Sequence, residues 1–142
     1  MKLKIGDKAP EYGTLKKYGE NIILYFYPRD NTPGCTKEAC SLRDGYSKLK
    51  RAGFTVLGVS PDSEKSHEKF RDKFKLPFKL IPDIDKKLAK KYGAWIKKNM
   101  FGREYFGIKR TTFIIEKGKI RFIFGKVDVN DHANEILKQI KE

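Results

Sequence analysis

The chain has 142 residues, enough for one domain (1–142) with a sizeable core, and its 39% hydrophobic and 13% aromatic content excludes a disordered segment. Two cysteines are too few for a disulfide-stapled secreted scaffold, and no apolar run approaches the ~18 residues of a membrane span. A net charge of +14 raises the question of nucleic acid, but the lysines are scattered rather than blocked.

Lys48, Lys50, Lys65, Lys69, Lys73 and Lys75 alternate with acids and apolar residues, the pattern of a solvated surface. Abundant Lys and Glu with few Gln and Met also resembles high-temperature proteomes. No specific nucleic-acid partner is expected, and no membrane partner. The N-terminus, MKLKIGDKAPEYG, lacks the apolar core of a signal peptide, so a reducing cytoplasm is the expected setting.

Residues 1–21 read as a polar lead-in with a turn at Gly6–Pro10. The apolar run 22–27 predicts a strand, which Pro28 stops. Asp30, Asn31 and Pro33 make the following connection a loop. Thr32 is placed as an N-cap and Pro33 as the first residue of a helix running to about 51, with Gly45 a mild internal weakness and Gly53 its end. Residues 54–60 predict a second strand, continuous in apolar character as for a strand covered on both faces. Ser63 caps a helix over 64–74 with Phe70 and Phe74 inward. A short strand follows at 78–81, then a helix from Asp83 to about Tyr92. Residues 97–107 read as a loop whose aromatics, Phe101, Tyr105 and Phe106, cover the core or, as the alternative, line a substrate approach. Runs 111–116 and 120–124, joined through Gly118, read as a hairpin. An amphipathic helix over 131–141 closes the chain. The order of elements predicts an α/β fold, a central sheet with helices on both faces.

Chemistry concentrates in YFYPRDNTPGCTKEACSLR, residues 25–43, which holds both cysteines. Cys35 falls in the first turn of the predicted helix, where unpaired N–H groups and the helix dipole favour a thiolate. Thr32-x-x-Cys35 has capping-box spacing with a thiol in place of the usual Glu. Cys40 lies five residues on, so an intact helix separates the two Cα atoms by roughly 8.7 Å. A disulfide needs about 4.4–6.8 Å, so a bond between these cysteines requires the first turns to unwind. The alternative is that both are small buried hydrophobes. His67 and His132 sit on helix stretches read as polar, and the cysteine spacing does not suit a zinc site, so no metal is expected.

At these residues the chain resembles the peroxiredoxins, in the bacterioferritin-comigratory-protein or peroxiredoxin Q branch. Pro28-x-x-x-Thr32-x-x-Cys35 matches the family's active-site motif and TPGCTKEAC the branch's two-cysteine version. The match continues through GVSPDS (58–63), LPF (76–78), YGAW (92–95) and GIKRTTFII (107–115). The chain departs from the branch in a shorter segment before the strand at 22 and in Tyr12, where Phe is usual. The resemblance implies a thioredoxin-like fold and reduction of hydrogen peroxide or organic hydroperoxides, with no cofactor. Cys35 would be the peroxidatic cysteine and Cys40 the resolving one. Thr32 would hydrogen-bond the peroxide, Pro28 would shield the site, and Arg110 would stabilise the thiolate. A thioredoxin- or glutaredoxin-like protein would be the reductant. Glu38 is placed to orient Arg110 or to serve as a first-turn acid, and Arg43 to lie on the solvated face. A monomer is expected, with a weak dimer as the alternative. Two other readings stay open: a basic binding module with inert cysteines, and a disulfide carrier, which the x₄ spacing disfavours.

Overall fold

The computed structural model describes residues 3–141. Its five-stranded sheet runs in the order β3-β2-β1-β6-β7, with β1 (Asn21–Phe26) at the centre. β2 (Phe54–Ser60) and β3 (Lys79–Pro82) extend it in parallel; on the other side β6 (Thr111–Glu116) pairs antiparallel with β1, and β7 (Lys119–Phe124) antiparallel with β6. The helices are α1 (Tyr12–Leu15), α2 (Pro33–Asp44), α3 (Tyr46–Arg51), α4 (Glu64–Phe74), α5 (Lys87–Lys91) and α6 (His132–Lys141). Among the described residues no helix is long and apolar enough to cross a membrane.

Every residue of 22–27 is buried, yet the strand period still divides them. Ile23, Tyr25 and Tyr27 join Ala39, Leu42, Leu49, Phe70, Ala133 and Ile136 in a core on one face. Ile22, Leu24 and Phe26 join Leu15, Leu88, Ala89, Tyr92 and Ile108 in a core on the other. A sheet so covered explains the unbroken apolar runs of β1 and β2.

Three expectations need correction. The long helix over 33–51 is two helices, α2 and α3, meeting at Gly45. A Cβ there would lie 2.5 Å from the Cβ of Ala133, so α6 packs directly against the break. The helix expected from Asp83 begins only at Lys87; Asp83 still caps it, accepting from the N–H groups of Leu88 and Ala89 at 3.0 and 2.9 Å. The expected loop at 97–107 is an antiparallel hairpin of β4 (Trp95–Met100) and β5 (Arg103–Ile108). Its turn is Phe101-Gly102, both at positive φ, which is hairpin-turn geometry carried by an unusual residue pair. Phe101 is 99% exposed and Phe106 58%, so these aromatics do not cover the core.

Candidate active site

The register of the sheet assembles the site. Phe26, the last residue of β1, pairs with Thr111, the first of β6. Arg110 therefore stands beside the carboxyl end of β1, where the chain leaves for α2, although 75 positions separate it from Cys35. Arg110 Nη1 donates to Glu38 Oε1 at 2.7 Å, and Nη2 donates to Cys35 Sγ at 3.4 Å. Cys35 and Glu38 share the inner face of α2, both buried, and Arg110 is the partly open member. Gly34 makes room for it: a Cβ there would lie 3.1 Å from Arg110 Nη2.

Thr32 has the extended backbone of an N-cap, but its hydroxyl makes no capping bond. It donates instead to the carbonyl of Arg29 at 2.9 Å, so the capping-box reading is corrected. The reason lies in the short sharp loop, which brings the Arg29 carbonyl within reach of the hydroxyl. A donated proton leaves the oxygen's lone pairs free to accept. Pro28 is half-buried at the end of β1. Cys40 is partly exposed two residues beyond Glu38; both cysteines are free, and α2 is continuous between them. Arg43 is not on an open helix face: it bonds Asp44 and donates to the carbonyl of Phe74 at 2.8 Å, tying α2 to the end of α4.

Buried polar groups extend the site inward, and of these the sequence points only to Glu38. Burial pushes Glu38 up to about 7 against the opposing pull of Arg110. Its second oxygen has no hydrogen-bond partner among the described residues and lies 3.9 Å from His132 Nε2. His132 is fully buried, contrary to the polar setting expected, and bonds Thr112 at 2.8 Å and Glu135 at 2.9 Å. Burial holds it below the ordinary histidine value, against the pull of Glu135. Tyr25 lies beneath α2 with a hydroxyl that has no partner among the described residues, and burial followed by the Glu38 and Cys35 charges drives its pKa well up. Lys98 is pushed down by burial and then by Arg110, while Cys35 pulls it the other way, so its ammonium lies within electrostatic range of both.

A second buried group pins the loop ahead of α2. Asp30 bonds His67 Nδ1 at 2.7 Å, the Tyr27 hydroxyl at 2.6 Å and the Ser66 hydroxyl at 2.8 Å. His67, also expected on a polar surface, is buried, and its Nε2 faces the carbonyl of Ile81 at 3.1 Å. Asp62 joins by accepting from the N–H of Asp30. Asp30, Asp62 and His67 are close enough together to suit a cation, but both His67 nitrogens already have protein partners. The group reads as a clamp between loop and α4.

The family model for AhpC/TSA matches residues 2–123. Peroxiredoxin Bcp of Bacillus subtilis is 42% identical, over 100% of this chain and 98% of its own. The solved structure of Xylella fastidiosa PrxQ superposes with a TM-score of 0.90 at 33% identity, covering 99% of this chain and 97% of that one. That of the Xanthomonas campestris bacterioferritin comigratory protein, described for its alkyl peroxide reduction activity, gives 0.81 at 37% identity, covering 87% and 79%.

Proposed function

Because this chain belongs to the AhpC/TSA family, among the peroxiredoxins of the Bcp and PrxQ kind, and is thereby a thiol peroxidase, we propose that Cys35 is its peroxidatic cysteine and Cys40 its resolving cysteine. The observation that carries the assignment is the guanidinium of Arg110, which bonds Glu38 with one arm and reaches the Cys35 sulfur with the other. The likeness to the Xanthomonas protein supports alkyl hydroperoxides as substrates, and we propose hydrogen peroxide, which offers the same O–O bond, beside them.

The Cys35 thiolate attacks the distal peroxide oxygen. The O–O bond breaks, that oxygen passes to sulfur as a sulfenic acid, and the alkoxide or hydroxide leaves with a proton from water. Arg110 stabilises charge first on sulfur and then on the departing oxygen. Thr32, its own proton committed to Arg29, accepts from the hydroperoxide O–H and orients it, and Pro28 limits bulk water. Cys40 then condenses with the sulfenic acid, forming the S–S bond and releasing water. Since α2 is continuous, its first turns unwind before the sulfurs meet. A thioredoxin- or glutaredoxin-like dithiol reduces the disulfide and becomes oxidised itself. The cytoplasm supplies such a donor, and the cycle needs one chain only.

Intact mass after one equivalent of hydrogen peroxide tests the assignment. The wild type should lose two hydrogens, Cys40→Ser should gain oxygen, and Cys35→Ser should stay unchanged. A wild type that neither loses hydrogen nor gains oxygen overturns it.

A further inference from the structure

Among the described residues six large hydrophobic side chains are exposed, and four of them, Met100, Phe101, Tyr105 and Phe106, lie within the seven residues at the tip of the β4–β5 hairpin. The residue at the turn makes the concentration harder to dismiss. Phe101 has φ 54°, a left-handed conformation that bulky residues rarely adopt. A two-residue turn of this kind selects Asn, Asp or Gly. Here a phenylalanine takes that position while its ring packs on nothing, being 99% exposed. Lys117 holds the same position ahead of Gly118 in the β6–β7 hairpin, so the backbone is ordinary turn geometry; core packing, however, does not account for a fully exposed phenylalanine at this turn.

The hairpin's register shows what lies behind the tip. Directly paired residues share a face, so Met100 with Arg103 and Lys98 with Tyr105 line one side. Met100, Phe101, Arg103 and Tyr105 enclose an open concavity of about 650 Å³. Along the same side the Lys98 stem crosses Gly107, which leads by way of buried Ile108 to Arg110. The apolar tip is collared by cations: Lys97, Lys98, Arg103 and Lys109 against the single acid Glu104, which pairs with Lys97. Amphipathic aromatics projecting beyond a basic collar suit the interface of an anionic bilayer, where rings settle among headgroups and lysines meet lipid phosphates. An overall charge of +14 favours the same surface.

We propose that the β4–β5 hairpin seats this protein on anionic membrane surfaces, with its tip inserted and Cys35 presented to hydroperoxides of the lipid acyl chains. Such a peripheral contact needs no spanning helix. The substrate half of the proposal rests on the peroxidase reading. In it the acyl hydroperoxide's distal oxygen passes to the Cys35 sulfur, the O–O bond breaks, and the lipid alkoxide takes a proton from water to leave as the alcohol.

The test is sedimentation with vesicles of phosphatidylcholine and phosphatidylglycerol, beside phosphatidylcholine alone, with emission of Trp95, the chain's one tryptophan, as a second readout. Trp95 stacks on Phe106 and so reports on the hairpin directly. Phe101→Asn suits the left-handed turn and leaves the fold intact. The wild type should bind the anionic vesicles with a blue shift, and salt should weaken binding. Phe101→Asn should bind about ten-fold more weakly or worse, while its turnover of soluble hydrogen peroxide stays unchanged. A wild type that stays in the supernatant overturns the proposal. So does a Phe101→Asn variant that binds equally well, since the contact is then diffuse charge. So does a dimer that Phe101→Asn splits, since the tip then meets a second copy. Tip-dependent binding without peroxide turnover would leave the membrane contact standing and remove the peroxidase reading.

Discussion

Arg110 and Glu38 meet at 2.7 Å inside the protein, and the same guanidinium continues to the Cys35 sulfur at 3.4 Å. One planar fork thus serves the carboxyl of Glu38 and the sulfur of Cys35, a geometry that a lysine cannot reproduce. Arg110→Ala should lower the rate of peroxide reduction by about 10²–10³-fold, the cost of removing one oriented donor from a developing charge. Arg110→Lys should recover only part of it. Stopped-flow consumption of hydrogen peroxide, on samples shown to be folded, measures both. Wild-type rates in the alanine variant would remove Arg110 from the chemistry.

Glu38 makes a pH prediction whose sign can be worked out. Its folded value of about 7 exceeds the ordinary 4.5, so the folded protein holds this proton more tightly than the unfolded chain. The associated stability is complete below about pH 4.5 and is lost as pH rises through about 7, on the order of 3 kcal/mol in all. His132, held low by burial, works in the opposite sense and loses its contribution as pH falls. Glu38→Gln cannot ionise. The difference in melting temperature, variant minus wild type, should therefore climb between about pH 5 and about pH 8. A difference that is flat across that range contradicts a proton held at Glu38.

What the sequence made legible follows from which forces are local. The strand at 22–27, the Ser63 cap and the hairpin at 111–124 announce themselves through runs, caps and turn glycines, and all three stand close to where they were expected. Cys35 could be placed in a helical first turn because Thr32 and Pro33 mark the start. The Arg110 contact was out of reach of spacing alone, because it depends on the pairing of Phe26 with Thr111 across the sheet. His67 and His132 were assigned to surfaces because their neighbours in sequence are polar. Their partners, Asp30 and Thr112, come from other elements, and only the fold brings them together. The β4–β5 hairpin is illegible for another reason: its strands, WIKKNM and REYFGI, lack the dense β-branched and aromatic runs that flank Gly118, so Gly102 stands as the sole hint.

The Asp30 clamp should show itself at acid pH. Burial raises this carboxyl, but the bonds from His67, Tyr27 and Ser66 outweigh it and hold Asp30 below the ordinary value. Stability from a depressed carboxylate is present above its unfolded value and lost as pH falls through the folded one. Asp30→Asn should reduce stability by about 1–3 kcal/mol at neutral pH, with the gap to wild type narrowing towards about pH 3. Urea titrations at several pH values measure it. A gap that widens in acid would contradict the clamp.

The packing of Ala133 in α6 against Gly45 sets side-chain space against backbone preference. Gly45 stands between α2 and α3 at φ −96°, a value open to any residue, so conformational freedom does not require glycine here. Space does: an added Cβ would fall 2.5 Å from that of Ala133. Alanine would ordinarily favour a helical stretch by about 1 kcal/mol over glycine. Gly45→Ala should nevertheless destabilise the protein, by about 1–3 kcal/mol, because overpacking outweighs propensity. Ala133→Gly creates the missing room. The double variant should therefore be more stable than Gly45→Ala alone, with a coupling of about 1 kcal/mol or more in a double-mutant cycle by chemical denaturation. Strictly additive effects would mean that the two helices adjust freely and that the contact does not set their spacing.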